Sequence, residues 1–168
     1  MQLLIIRHGI AEDAEKFAAT GEDDSRRPLT KAGKRKMKEV AAGLQEIVET
    51  LDVIGASPLA RAQQTAEIVA KAYDDLTVST VEALSPGSDP SDLVDWLKKH
   101  DSAEVVAVVG HEPHLGMLVT WLMTEARESR VEMSKGGAAL LEFDSRVTAR
   151  SGTLQWLLTG SHLRRIGQ

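Results

Sequence analysis

Val105–Val109 is a run of five residues, all Val or Ala, that leads directly into Gly110 and His111. A short apolar run with no polar alternation suits a strand buried inside a parallel sheet. Leu3–Ile6 repeats the arrangement and ends on Arg7-His8-Gly9. Gln2–Ile6, Asp52–Ala56, Leu76–Val81 and Val105–Val109 read as strands. Between them lie stretches of helical period. In Lys31–Thr50 the apolar positions Met37, Val40, Ala41, Leu44, Ile47 and Val48 recur at helical spacing. Ser57 reads as an N-cap with Pro58 at the first helical position, opening a helix to Tyr73. Ser91–His100 puts Leu93, Val94 and Leu97 on one face, and a further helix starts at Pro113 and runs to Thr124. Gly136–Phe143 and Thr153–Leu158 read as two strands around a turn at Ser145–Gly152, an antiparallel addition. The expected architecture is α/β, with a mainly parallel central sheet and an antiparallel C-terminal strand.

Composition narrows the function. No Pro/Gly/Ser-rich linker divides the 168 residues, which suffice for one core. Cysteine is absent, so disulfides, thiolate metal sites and a cysteine nucleophile are excluded. The first residues carry no signal-peptide pattern, and no stretch approaches the roughly 20 apolar residues of a membrane span. A cytoplasmic protein with no membrane partner is expected. The net charge of −5 argues against general nucleic-acid binding. It leaves an anionic substrate open, because clustered arginines set the local field.

Such a cluster is visible. Arg7, Arg61, His8 and His111 all follow predicted strands, and open α/β sheets bind ligands outside the carboxyl ends of their strands. A neutral imidazole such as His8 attacks phosphorus through one ring nitrogen while the other fixes the tautomer. Arg7 and Arg61 suit a phosphoryl group, since a guanidinium meets two oxygens at once and stays charged. His111 can donate to a phosphoryl oxygen, and Gly9 and Gly110 allow close backbone approach. His111-Glu112-Pro113-His114 lacks the spacing of zinc peptidases, so neither a metal nor any other cofactor is expected. His114 reads as a helix-surface or rim residue, and His100 and His162 as solvent-facing. Trp96, Trp121 and Trp156 read as packing. The acidic stretch Glu12–Asp24 is either a solvated loop or a mobile rim that selects substrates.

These motifs resemble the histidine phosphatase superfamily, whose fold is phosphoglycerate-mutase-like. The resemblance rests on Leu4-Ile5-Ile6-Arg7-His8-Gly9, on Ser57-Pro58-Leu59-Ala60-Arg61-Ala62-Gln63-Gln64-Thr65-Ala66 and on Val109-Gly110-His111-Glu112-Pro113. Arg27-Pro28-Leu29-Thr30 with Gly33 is similar to a further family segment. Leu84-Ser85-Pro86-Gly87 and the short length look most like the SixA-type phosphohistidine phosphatase branch. The resemblance implies a three-layer sandwich with helices on both faces. It implies that His8 is transiently phosphorylated, with Arg7, Gly9, Arg61 and His111 around the phosphoryl group. Phosphohistidine on a protein is the substrate class it implies. The alternatives are a phosphatase or mutase for small phosphorylated metabolites, or a module that senses phosphate without turnover. Many relatives carry a lid and a carboxylic acid after the third strand, but the span from Val81 to Val105 is too short for a lid. Glu82 and Asp89 are the candidate general acids there. Glu112 reads as a helix-start carboxylate.

Overall fold

A computed structural model describes residues 1–168. The central sheet has six strands: β1 (Gln2–Arg7), β2 (Val53–Ala56), β3 (Val78–Thr80), β4 (Val105–Gly110), β5 (Ala138–Glu142) and β6 (Thr153–Leu158). Their spatial order is β3-β2-β4-β1-β5-β6. The pairs β2–β3, β2–β4 and β1–β4 are parallel, and β5 runs antiparallel to both β1 and β6. The mainly parallel sheet with an antiparallel C-terminal addition is therefore present as expected.

The pleat of β1 explains why the sheet is covered twice. Alternate side chains of a strand face opposite sides. Leu4 and Ile6 join one core with residues of α2 (Lys31–Ile47), α3 (Ala60–Ala72) and α6 (Gly160–Ile166). Leu3 and Ile5 join a second core with residues of α4 (Asp92–Leu97) and α5 (His114–Thr124). An apolar run without alternation is what such two-sided burial requires. No helix is long and apolar enough to cross a membrane.

Several boundaries differ from the sequence reading. The third helix begins at Ala60, with Leu59 as its cap residue. Ser57 does not cap it, because its N–H still bonds the Val109 carbonyl at 3.0 Å and extends the sheet. Helix α2 stops at Ile47 rather than Thr50, and its Thr30 cap accepts from the Gly33 N–H at 2.8 Å. The run Ser91–His100 divides into α4 and a 3-10 turn, Lys98–His100. The acidic stretch holds a short helix, α1 (Ala14–Ala18), capped by Asp13.

The unanticipated helix α6 packs across α2. A Cβ on Gly43 would lie 1.9 Å from the Leu163 carbonyl oxygen, so the helices touch backbone to backbone there. Ala is worth about 1 kcal/mol more than Gly in a helix interior, but overpacking a tight contact costs about 1–3 kcal/mol. Packing should win, because backbone cannot give way as a side-chain tip can. Gly43→Ala is predicted to lower the urea midpoint with little loss of activity. A variant more stable than the parent would show that α6 does not dock at Gly43.

Candidate active site

The order β2-β4-β1 brings three strand ends side by side, and each carries one of the sequence motifs. His8 follows β1, Ser57 follows β2 and His111 follows β4. Arg61 reaches the same place from the first turn of α3. The His8 and His111 rings lie 5.0 Å apart between centroids.

His8 is almost completely buried. Its Nδ1–H donates to the Gly9 carbonyl at 2.7 Å. That bond assigns the tautomer, leaving the Nε2 lone pair as the reactive edge. Burial pushes the His8 pKa down to about 4; the Gly9 carbonyl opposes this, and Arg61, Arg7 and Lys135 add to it. His111 accepts or donates through Nε2 to Ser57 Oγ at 2.8 Å. Burial first, then the charges of His8, Arg61 and His114, push its pKa down to about 3. Both imidazoles are neutral at neutral pH.

Two buried donors in this cluster, Arg7 Nε and Arg61 Nε, have no partner in the protein, and His111 Nδ1 is a third when its Nε2 accepts from Ser57 Oγ. Unpartnered buried polar groups are rare, and each calls for a ligand or another explanation. Each guanidinium is held by its far end instead. Arg7 NH1 donates to the Met133 carbonyl at 2.5 Å. Arg61 NH1 donates to the Asp24 carbonyl at 3.0 Å, and its NH2 pairs with the Asp24 carboxylate at 3.1 Å. Both arginines thus keep the Nε edge free for an anion.

Gly9 serves differently from expectation. Its N–H donates to Thr65 Oγ1 at 3.0 Å and its carbonyl holds His8, so its backbone positions the histidine and has no free N–H for a ligand. Thr65 donates in turn to the Arg61 carbonyl at 2.7 Å, linking the two motifs. Leu29 N–H donates to Gln64 Oε1 at 2.9 Å, which fastens the Arg27-Pro28-Leu29 segment to α3.

The carboxylates fall elsewhere. Asp89 is paired with Arg127, which holds its carboxyl far below the usual carboxylate range, so it carries no proton to give at neutral pH. Glu82 is exposed at the start of the turn Glu82–Leu84. Glu112 accepts from the Met133 N–H at 2.8 Å and the Gly116 N–H at 3.4 Å, the helix-start role expected of it. His114 is a correction. It is buried rather than on the rim, because α5 is covered on nearly all sides, and burial lowers its pKa. His162 is exposed, whereas His100 is half-buried beside Trp96, with ring centroids 4.7 Å apart.

Sequence reasoning missed Asp24 as a partner of Arg61, Ser57 as a partner of His111, and Lys135 as a charge near His8. Only Thr65 had a local signal, four residues after Arg61 on one helix face. A cavity of about 610 Å³, lined by Met1, Leu97, Lys98, Asp101, Phe143 and Arg146 among others, lies at the opposite end of the sheet. It contains no histidine, and a phosphoryl group needs convergent charge more than enclosure.

A family model described as Histidine phosphatase superfamily (branch 1) matches residues 3–85. An uncharacterized protein of a Picosynechococcus species is 32% identical over 162 residues, spanning 95% of this chain and 96% of the relative. The chain belongs to the histidine phosphatase superfamily. It is a histidine-nucleophile phosphatase with the phosphoglycerate-mutase-like fold. A structure of the protein histidine phosphatase SixA complexed with tungstate superposes on the phosphatase with a TM-score of 0.81 at 27% identity, covering 97% of this chain and 99% of that one. The alpha-ribazole phosphatase from Shigella flexneri shares the fold, with a TM-score of 0.75 at 17% identity over 95% of this chain and 97% of that one.

Burial of neutral histidines makes the phosphatase acid-sensitive. In the unfolded chain histidine titrates near about 6.5. Folding depresses the values of His8, His111 and His114 below that. Their contribution to stability is complete above the unfolded value and is lost as pH falls toward the folded ones. The urea midpoint is predicted to be flat above about pH 7 and to fall steadily between about pH 6.5 and 5. Nitrogen chemical shifts should show His8 still neutral at about pH 5.5. A midpoint independent of pH across that window would contradict the burial of these rings.

Proposed function

We propose that the chain is a protein phosphohistidine phosphatase that works through a phosphoenzyme on His8. The observation that carries this reading is the free Nε2 of His8 set among three partnerless nitrogens, Arg7 Nε, Arg61 Nε and His111 Nδ1, the last a donor when its Nε2 accepts from Ser57 Oγ. A phosphoryl group supplies what those donors lack. In the first step the Nε2 lone pair forms the new P–N bond as the phosphorus–leaving-group bond breaks. In the second, water attacks phosphorus, the His8–phosphorus bond breaks, and the nitrogen recovers its lone pair. Arg7, Arg61 and His111 stabilise charge on the equatorial oxygens throughout.

Two features favour phosphohistidine over small esters. Between β3 and β4 lie only α4 and two 3-10 turns, so residues 1–168 are read as one domain without a lid, open to a protein side chain. None of the three carboxyl groups is placed as a general acid: Glu82 is exposed, Asp89 is paired with Arg127, and Glu112 is held by backbone amides. An alkoxide leaving group needs such an acid; an imidazole ring protonated beforehand on its second nitrogen departs as a neutral molecule without one. The likeness to SixA, a protein histidine phosphatase, points the same way.

The test is a substrate panel containing a phosphohistidine peptide and several phosphate esters, with chelator present. The expected result is turnover of the phosphohistidine peptide, unaffected by chelator. Preference for a small ester would overturn the reading. His8→Ala is expected to lose several orders of magnitude in rate yet still bind inorganic phosphate, because Arg7, Arg61 and His111 remain. Rapid-quench labelling should trap an acid-labile, base-stable phosphoenzyme only in the parent. Arg61→Lys is expected to lose about 10² to 10³ in rate, since an ammonium cannot both hold Asp24 and present a second donor edge. Activity within about threefold of the parent would remove Arg61 from the pocket.

A further inference from the structure

The in-line geometry of phosphoryl transfer fixes where the leaving group lies. The attacking and leaving atoms stand on opposite sides of phosphorus. His8 is the buried partner, so the leaving group faces outward, toward the rim of the site. The acidic segment forms that rim on the Arg61 side. Its last residue, Asp24, opens the short turn Asp24–Arg26 and holds Arg61 through both its carbonyl and its carboxylate. Arg27 Nε donates to the same carboxylate at 2.7 Å, and Arg27 NH1 ties the turn to the Glu12 carbonyl at 2.8 Å. Asp24 is thus a fixed charge, although its side chain is 58% exposed.

Other carboxylates near the motifs are committed elsewhere. Asp89 is held by Arg127, and Glu112 by backbone amides. Asp24 is also paired, with Arg27 and Arg61, but it is paired at the site itself, and its charge is felt at both Arg61 and His111. Arg27 holds it in the ionised form.

We propose that Asp24 is the specificity-determining residue of this site, its carboxylate selecting substrates whose leaving group is a cationic imidazolium. The inference rests on the phosphohistidine reading given above. Phosphohistidine protonated on its second ring nitrogen carries a positive ring. As the P–N bond breaks, its electron pair returns to the ring, which departs as neutral imidazole with that proton still in place. The new bond forms at His8 Nε2, and no proton has to move during the step. A carboxylate at the rim accepts a hydrogen bond from the protonated ring nitrogen and raises the fraction of substrate in this labile form. The same carboxylate opposes an alkoxide, on which negative charge grows. One fixed anion therefore favours the phosphoramidate and disfavours the ester.

The test uses the full-length protein and two peptides of one sequence, carrying phosphohistidine or phosphoserine at the same position. Asp24→Asn keeps the backbone carbonyl that holds Arg61 and one of the two side-chain oxygens, and removes the charge. It is expected to lower kcat/KM for the phosphohistidine peptide roughly three- to tenfold, in the range of a partly exposed ion pair. Because Asp24 also anchors Arg61, the phosphoserine peptide should slow too, but by less, so that the ratio of the two kcat/KM values falls. Asp24→Ala, which also loses the acceptor, should lower both, and thermal melting should show both variants folded. An equal drop on both peptides with Asp24→Asn would overturn the proposal and leave Asp24 as a positioning residue for Arg61. Unchanged rates on both would overturn it as well. In either case a parent enzyme that turns over phosphohistidine leaves the functional reading standing. A parent that prefers phosphoserine overturns both together.

Discussion

The site depends on how the backbone of Arg7 and His8 is clamped. The His8 N–H donates to the Gly110 carbonyl at 3.0 Å, and the Arg7 N–H to the Gly137 carbonyl at 3.0 Å. From the other side, the Gly136 N–H reaches the Arg7 and His8 carbonyls at 3.2 and 3.1 Å. Because β1 lies inside the sheet, between β4 and β5, its end has a neighbour on either flank. A histidine fixed this way cannot swing out to solvent. Its burial, and hence its neutrality, follows from topology rather than from a particular charged partner. The further His8 Nδ1–H bond to the Gly9 carbonyl then decides which nitrogen keeps its lone pair.

That rigidity explains how the protein tolerates buried donors without partners. An unsatisfied buried polar group costs about 1–3 kcal/mol, more when charged. A flexible side chain would escape the cost by rotating toward water. Arg7 and Arg61 cannot, because their far nitrogens are anchored to Met133 and Asp24. An anion that accepts from these edges would find them already oriented. Preorganised donors of this kind need no reorientation when charge shifts during phosphoryl transfer.

Much of this was legible in the chain, though unevenly. Val105–Val109 and Leu3–Ile6 announce interior strands because both of their faces are covered, and the motifs beyond them mark the sheet's working edge. What a linear reading lacks is strand order. That β2, β4 and β1 are neighbours, so that Ser57 meets His111, is a long-range fact with no local signal. Ser57-Pro58 carries a strong helix-start pattern, yet tertiary pairing of Ser57 with Val109 overrides it. His114 was misplaced for a related reason. Leu115, Leu118, Val119 and Leu122 mark an apolar stripe on α5, but Gly116 and Trp121 on other faces are buried too, so the first turn is enclosed as well. Helix α6 escaped notice because, of its seven residues, only Gly160 and Leu163 are buried, too few to set a period.

Arg61 shows how chemistry and selectivity divide between scaffold and loop. Its Nε is buried and without a partner in the protein. Its terminal nitrogens belong to Asp24, 37 residues away in sequence, on an exposed turn. Substitutions in that turn alter the charge at the rim without disturbing β1, β4 or the His8 clamp. Loops vary more readily than the elements they connect. On the reading proposed above, donors kept on strand ends and a helix start would let a change in one loop alter the preferred leaving group. One fold can carry different activities on such an edge, as a protein histidine phosphatase and an alpha-ribazole phosphatase that share this fold illustrate.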